Sequence, residues 1–540
     1  MIGSSSCRLA LFWIPLLLVA SCGRDRDCPD CGTVVVAAVG EPSAVLPPLS
    51  YETVGRDIGD LVYERLADLE PGRPTVDPAA YRPRLASSWD RVDSLTLRFH
   101  LRRGASWQDG VPVTAADVVF SFDAFQDSII DALARPQLEA NIASVDADDS
   151  LTVSVRFRRA YPEQIYDATY HVRVIPRHVW DSIPRARWAG DTAVTRLVGS
   201  GPFRVDRWER GRSLTLVRVP GEAAGGNIAR VIWQFTEDPE AALNLMLSHE
   251  ADLLETVQGQ AAVDRAGADS ALTLLPYPSA VYGFLAFEIN GPGRPHPILR
   301  DRTVRRALVA ALDRKEIARS VFGPETKVPP GPISQLLWIW SRDIRTIPFD
   351  TAAAAAALDT AGWRRGPDGM RFRNGTPLAM DILVPATSSL RRRAAEAIQE
   401  AWRQAGVRAT VTSVDMPVFQ QRLAQGRFDS YIGAYLDEPS PRGLADQWSR
   451  DGWDAINFGH YDSSVFDSLL HAASVASRPA SAGRLWHEAL DTLNMDAPAA
   501  WLFTPTNIAL VSRRLEGVRI NPYSWLSGLE GWKVREGEER

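Results

Sequence analysis

The sequence contains few of the residues from which disulfide frameworks and metal sites are built. Only 4 of its 540 residues are cysteine, and all of them precede residue 32. No disulfide bond can therefore form beyond residue 31. The 8 histidines form no cluster in the sequence, and a structural zinc site needs about four ligands. We predict neither a metal site nor a cofactor.

The sequence also lacks an excess of positive charge. Its 60 Lys and Arg residues are balanced by 66 Asp and Glu residues, so the net charge is -6. No basic stripe interleaved with aromatic residues is present, and we therefore expect no nucleic-acid partner. A composition of 45% hydrophobic and 23% charged residues is typical of folded chains. A chain of this length is expected to form two or three lobes.

The usual catalytic motifs are absent as well. His249-Glu250 is not followed by the second histidine of a zinc protease, and neither GxSxG nor GxxxxGK occurs. Gly199-Ser200-Gly201 lacks the third glycine of a dinucleotide-binding fingerprint. We predict no catalytic residue and no enzyme activity. A cleft hydrolase that uses a carboxylate pair stays as an alternative, because such a pair leaves no signature in the sequence.

The single long apolar run lies at the N-terminus. Arg8 precedes the apolar stretch 9–19 (LALFWIPLLLV), and small residues lead from there to Cys22. This pattern predicts a secretion signal at 1–21, because the run is shorter than the roughly 20 residues that span a bilayer. Val-Ala-Ser-Cys also resembles the bacterial lipobox, which implies that Cys22 carries a lipid anchor. The alternative is cleavage by ordinary signal peptidase, with Cys22 incidental.

Residues 22–32 are predicted to form a lipidated tether. Cys28 and Cys31 stand in the spacing CPDC within a polar segment. A redox CxxC normally opens a helix after a strand, so a small disulfide loop is favoured here over a redox site.

Periodicity indicates mixed α/β structure. Apolar residues alternate with polar ones at 95–101 and 151–157, and 33–39 is a short apolar run, so we predict three strands. Thr114 and Asp117 have the spacing of a capping box, which predicts the start of a helix. Between residues 380 and 435 the pattern predicts strand, helix, strand, helix and strand, as in an α/β lobe with crossover connections.

The sequence is rich in tryptophan, with 17 residues. Trp338 and Trp340 follow the loop-like segment PPGPISQ, and such a loop before closely spaced aromatic residues suits the wall of a ligand cleft. Packing in the core is the alternative for both side chains.

Several sequence blocks, taken together, resemble the family 5 extracellular solute-binding proteins, which include the dipeptide- and oligopeptide-binding proteins of ABC importers. The blocks follow one another in the family's order and cover nearly all of the chain after the tether. They are LASSW at 85–89, LTLRFHLRRGASWQDG with VTAADVVFSFD, GSGPF at 199–203 with Trp208, HPILRDRTVRRALVAALDR at 296–314, and the region from Ala353 through GWRRGPDG to Tyr435.

The resemblance implies an α/β, two-lobed periplasmic-binding-protein fold of type II, with an extra subdomain inserted in the first lobe. Carried onto this chain, the expected parts are lobe I at 33–70, 198–285 and 498–540, the inserted subdomain at 71–197, and lobe II at 286–497. A solute is bound in such proteins when the lobes close around it.

The resemblance also implies ligand-binding residues. In peptide-binding members an Asp meets the ligand's α-ammonium, and Asp437 is the matching candidate here, although this chain has Tyr435 in place of the family's Trp and a spacing one residue shorter. A turn before Pro439 is the alternative role of Asp437. Tyr282 and Phe284 are expected on a segment that crosses between the lobes, where they line either the cleft or the core.

The expected function is therefore that of a substrate-binding lipoprotein of an ABC importer. It would capture peptides or a similar solute and deliver them to permease subunits. We expect a monomer that is exported and held by its lipid at the periplasmic or extracellular face of the cell membrane. A surface sensor or scaffold with the same fold is the alternative from another class.

Overall fold

The computed structural model describes residues 32–191, 193–220, 226–291 and 297–535. The predicted signal, Cys22, Cys28 and Cys31 lie outside the described residues. The strands of the described part are β1 (Thr33–Val39), β2 (Ala67–Leu69), β3 (Tyr81–Pro83), β4 (Ala86–Asp93), β5 (Thr96–Leu101), β6 (Ile142–Asp149), β7 (Thr152–Phe157), β8 (Phe203–Glu209), β9 (Ser213–Arg218), β10 (Arg230–Thr236), β11 (Leu253–Leu254), β12 (Leu272–Pro278), β13 (Val281–Phe287), β14 (Arg364–Arg365), β15 (Arg371–Arg373), β16 (Thr376–Pro377), β17 (Ala379–Pro385), β18 (Arg408–Val414), β19 (Ser430–Leu436), β20 (Ala499–Phe503), β21 (Thr506–Ser512), β22 (Leu515–Glu516) and β23 (Lys533–Val534).

The α-helices alternate with these strands. They are α1 (Thr53–Val62), α2 (Ala115–Gln126), α3 (Arg135–Asn141), α4 (Gln164–Thr169), α5 (Arg177–Trp180), α6 (Pro239–Leu247), α7 (Gln260–Gly267), α8 (Arg302–Ala310), α9 (Arg314–Ile317), α10 (Thr351–Thr360), α11 (Ser389–Gln404), α12 (Met416–Ala424), α13 (Gly443–Trp448), α14 (Ser464–Val475) and α15 (Pro479–Asp496). Among the helices that the structure describes, none has the length and apolar character required to cross a bilayer.

The first lobe is built on a seven-stranded mixed sheet. Its strand order is β12-β21-β11-β1-β10-β9-β8, and β1 pairs in parallel with both β10 and β11. The apolar run of β1 is buried on both faces, as expected for a central strand covered by packing on each side. The predicted strand at 33–39 is confirmed.

The inserted subdomain is a four-stranded antiparallel sheet with helices against it. The order is β4-β5-β7-β6, and the alternation of buried and half-buried residues along β5 and β7 confirms the two predicted strands. Helix α2 begins at the predicted capping box, in which the backbone N–H of Thr114 donates to the Asp117 carboxylate at 2.8 Å. One continuous hydrophobic core joins this subdomain to the first lobe.

The second lobe has a five-stranded sheet and a core of its own. The strand order is β18-β17-β19-β13-β20, and β17 pairs in parallel with β18 and β19. Helices α11 and α12 connect these strands as predicted. Apolar side chains of α11, among them Ile398 and Trp402, pack into the core of this lobe.

Two chain crossings join the lobes. Strand β12 lies in the first sheet and β13 in the second, and β20 and β21 repeat this arrangement in the reverse direction. The crossings are therefore at 279–280 and 504–505. The expected boundaries at 285/286 and 497/498 placed most of β13 and all of β20 in the first lobe, whereas both strands hydrogen-bond within the second sheet.

Candidate ligand-binding cleft

A cavity of about 960 Å³ lies where the two lobes and the inserted subdomain meet. Helix α1 and the segment near Tyr523 line it from the first lobe, α3 and α4 line it from the inserted subdomain, and the segment from Leu436 to Ser449 lines it from the second lobe. The crossing residues Ser279 and Ala280 are also part of its wall. A volume of this size is at the upper end of typical small-molecule sites, which span roughly 300–1,000 Å³.

Asp437 is a buried carboxylate at the hinge side of this cavity. Its backbone N–H donates to the carbonyl of Ala280 at 2.8 Å, and its Oδ2 accepts the backbone N–H of Ser334 at 2.5 Å. Only 6% of the residue is exposed, and within the described chain it forms no ion pair. Burial raises the pKa of Asp437 to about 7, although the contact with Ser334 opposes this rise.

Arg442 connects the second lobe to the inserted subdomain. Its guanidinium pairs with Glu163, and its Nη2 lies 2.6 Å from Oδ1 of Asp167. The side chains of Glu163 and Asp167 are 4% and 0% exposed. Ser440 adds a hydrogen bond of 2.7 Å to Glu163 Oε2. These buried polar contacts exist only while the second lobe rests against the subdomain.

The first-lobe wall holds an aspartate that is neutralised by two arginines. Asp60 pairs with Arg65 at 3.1 Å and with Arg173, and it accepts a hydrogen bond of 2.6 Å from the hydroxyl of Ser524. Burial alone would raise the pKa of Asp60, but Arg173 and Arg65 lower it well below its ordinary value. Asp60 is therefore ionised and satisfied without a ligand.

A second acidic pair on the same wall forms no ion pair with any residue that the structure describes. Asp57 is 6% exposed and accepts a hydrogen bond of 2.9 Å from Nε1 of Trp525. Glu255 lines the cavity nearby. The pKa of Asp57 is raised well above its ordinary value by burial and then by repulsion from Glu255, and burial raises the pKa of Glu255 too.

Apolar and aromatic surface completes the lining. Leu133 of the inserted subdomain and Leu436 of the second lobe line the cavity and are 64% and 59% exposed. Tyr166 and Tyr170 stack with their ring centroids 4.8 Å apart. Such a lining offers contacts to apolar side chains, whereas the carboxylates fix the position of charged groups.

Of the ligand-binding candidates from the sequence, Asp437 lines the cavity and the others do not. Tyr282 and Phe284 are fully buried in the second-lobe core, which is the alternative that the sequence left open. Burial does not separate Tyr282 from the cleft entirely, because its hydroxyl donates to Oε1 of the cavity residue Gln447 at 2.5 Å.

The remaining three aromatic candidates pack against the same core. Trp338 and Trp340 are partly buried there, and the neighbouring Leu337 reaches the cavity instead. Tyr435 donates its hydroxyl hydrogen bond to the carbonyl of Ile456 at 2.5 Å. No group of three metal-ligating side chains is assembled in the part of the chain that the structure describes.

Comparison with known proteins gives consistent matches. A model of the bacterial extracellular solute-binding proteins, family 5 Middle, matches residues 80–455. Protein XP55 of Streptomyces lividans is 26% identical over 495 residues, which cover 90% of this chain and 86% of that protein.

Solved structures share the fold. HbpA2 from Haemophilus parasuis superposes with a TM-score of 0.79 at 20% identity, covering 93% of this chain and 100% of that one. The oligopeptide-binding protein AppA from Bacillus subtilis, in complex with a nonapeptide, superposes with a TM-score of 0.72 at 20% identity, covering 94% and 99%. The two-lobed α/β fold that the resemblance implied is confirmed.

Proposed function

Because this chain belongs to the bacterial extracellular solute-binding proteins of family 5, we propose that it is the substrate-binding protein of an ABC importer. It captures a peptide or a similar solute between its lobes and delivers it to a membrane permease. The similar fold of a protein that holds a nonapeptide supports a peptide as the solute.

The cavity between the lobes carries this proposal. Its walls come from both lobes and from the inserted subdomain, so that a solute in it contacts all three only when the lobes are together. The ion pairs of Arg442 with Glu163 and Asp167 form across the same boundary. A solute that binds both walls therefore shifts the protein towards the closed form, in proportion to the contacts made only there.

Asp437 supplies the charge that a peptide's α-ammonium requires. A carboxylate buried without a cation is costly, and a charge-assisted hydrogen bond to an ammonium group removes much of that cost. Its backbone bond to Ala280 holds it beside a crossing between the lobes. The ammonium end of the solute would thus lie at the hinge.

The anchor completes the proposed arrangement. A lipid on Cys22 and the tether 22–32 would hold the folded part near the outer face of the cell membrane. Tethering raises the local concentration near a permease, so tight affinity for the permease is not needed. We propose that the protein works there as a monomer.

The test is to identify what the protein binds. The protein is purified gently and its bound solutes are released and identified by mass spectrometry, and its thermal unfolding is measured with pools of synthetic peptides. A solute at 100 times its Kd adds about 2.7 kcal/mol to the free energy of unfolding. Asp437→Asn should lose most of this stabilisation. No bound peptide together with no stabilisation by any pool would contradict the proposal.

A further inference from the structure

Three of the arginines that line the cleft are neutralised by carboxylates of the protein. Arg65 and Arg173 share Asp60, and Arg442 lies between two buried carboxylates of the inserted subdomain. These three cations have carboxylate partners, so they offer little positive charge to an anionic group of a solute.

Asp57 and Glu255 are carboxylates that line the same cleft. Within the described residues neither forms an ion pair, and the hydrogen bond from Trp525 to Asp57 satisfies only one of the four carboxylate oxygens. Arg56 is the cation beside them, and its charge opposes the rise in the pKa of both groups without cancelling it. Its guanidinium contacts the hydroxyl of Thr53 at 3.4 Å rather than either carboxylate.

Glu255 repels the charge of Asp57, and burial disfavours the charged form of both groups. Asp57 is nearly buried, and like charges side by side in such surroundings disfavour ionisation. A cation between them would remove both the repulsion and much of the desolvation cost. The pair therefore has the chemistry of a site for an ammonium or guanidinium group.

The position of this pair differs from that of Asp437. Asp57 is on α1 and Glu255 directly follows β11, both in the first lobe, whereas Asp437 directly follows β19 in the second lobe. A solute with one cationic group at each place would bind to both lobes at once.

We infer that Asp57 and Glu255 make the cleft selective for solutes that carry a second positively charged group, such as peptides with a lysine or arginine side chain besides the α-ammonium. The inference rests on the proposed function, because it specifies which peptides that function serves. Binding of the second cation to the first-lobe wall then also favours closure of the lobes.

The experiment compares two matched pools of tri- to pentapeptides by isothermal titration calorimetry. In one pool a fixed position holds lysine, and in the other it holds Nε-acetyl-lysine, which has a similar length but no charge. We expect the lysine pool to bind at least tenfold more tightly. In Asp57→Asn/Glu255→Gln the preference for the lysine pool over the acetyl-lysine pool should fall to about twofold or less. Asp415→Asn, which removes an exposed charge from the second lobe, is the control and should keep the full preference.

The outcomes separate the two claims. Equal affinity for both pools in the unmodified protein would overturn the inference and leave the proposed function standing. A preference for lysine that survives the double substitution would overturn the assignment to Asp57 and Glu255. No binding of either pool would contradict the proposed function and the inference together.

Discussion

Replacing Asp437 by Asn should stabilise the protein in a pH-dependent way while it removes solute binding. Burial raises the pKa of Asp437 from the ordinary 3.8 to about 7. The native state therefore keeps this proton up to about pH 7, whereas the unfolded chain loses it near pH 4. Between these values the native state binds more protons, so the free energy of unfolding falls as the pH rises and then stays low above pH 7.

The magnitude follows from the difference between the two pKa values. For each pH unit across which Asp437 is ionised in the unfolded chain but not in the native state, the free energy of unfolding falls by about 1.4 kcal/mol. Asp437 therefore lowers the free energy of unfolding by about 4 kcal/mol at pH 8 and by about 2 kcal/mol at pH 5. Asn has nearly the same shape and its side-chain oxygen still accepts the N–H of Ser334. The hydroxyls of Tyr282 and Tyr523 and the carboxylate of Glu438 lie near this site, and none of them supplies a cation.

Urea unfolding, followed by tryptophan fluorescence at pH 5, 6.5 and 8, measures this effect. Asp437→Asn should gain about 2–3 kcal/mol more at pH 8 than at pH 5. The exposed Asp415→Asn is the control and should change stability by less than about 0.5 kcal/mol at each pH. A gain that does not depend on pH, or a loss that is larger at pH 8, would refute the reasoning.

Three further predictions concern closure, anchoring and packing. Arg442→Met removes the ion pairs with Glu163 and Asp167, which stabilise only the closed form. The free energy of solute binding should therefore weaken by about 2–4 kcal/mol, and small-angle scattering should give a larger radius of gyration. Unchanged values would show that these ion pairs do not hold the lobes together. Cys22→Ala should prevent addition of a diacylglycerol, seen as a mass difference, and normal processing with unchanged membrane retention would exclude this anchor. Gly199→Ala places a methyl group 1.8 Å from the carbonyl oxygen of Val62, which should cost more than about 2 kcal/mol in thermal unfolding; an unchanged midpoint would contradict the close packing.

The local patterns in the sequence were sufficient to predict many of the elements. Alternating or continuous apolar residues predicted β1, β5 and β7, and the change of period after residue 380 predicted the α/β lobe. The alanine-rich helix α10 begins with a local cap, in which the carboxylate of Asp350 accepts the N–H of Ala353 at 2.8 Å. These features depend on residues that are neighbours in the sequence, where periodicity and capping act.

The boundary between the lobes was harder to place. The segment YGFLAF is apolar throughout, so its pattern does not show which of the two sheets it joins. Hydrogen bonding of β13 to β19 and β20 decides that question, and it moves the crossing to 279–280. For the same reason Tyr282 and Phe284 lie in the core of the second lobe.

The charged residues of the cleft were missed because they are distant in the sequence. Asp57 and Glu255 line the same cavity only because the first lobe folds, and Arg442 contacts Glu163 and Asp167 only when the second lobe touches the inserted subdomain. No motif surrounds any of them, and Asp and Arg are common surface residues. Asp437 was found through the resemblance to a family, whereas only the structure shows that it is buried and that no described residue forms an ion pair with it.

Hydrogen–deuterium exchange with and without a peptide pool tests the central claim most directly, because it reports where a solute is held. We expect peptides to slow exchange on both walls of the cleft at once, in the segment from Asp437 to Ser449 of the second lobe and in that from Tyr166 to Arg173 of the inserted subdomain. The crossings at 279–280 and 504–505 should be protected as well. Protection confined to one lobe, or to a surface away from the cavity, would contradict capture between the lobes.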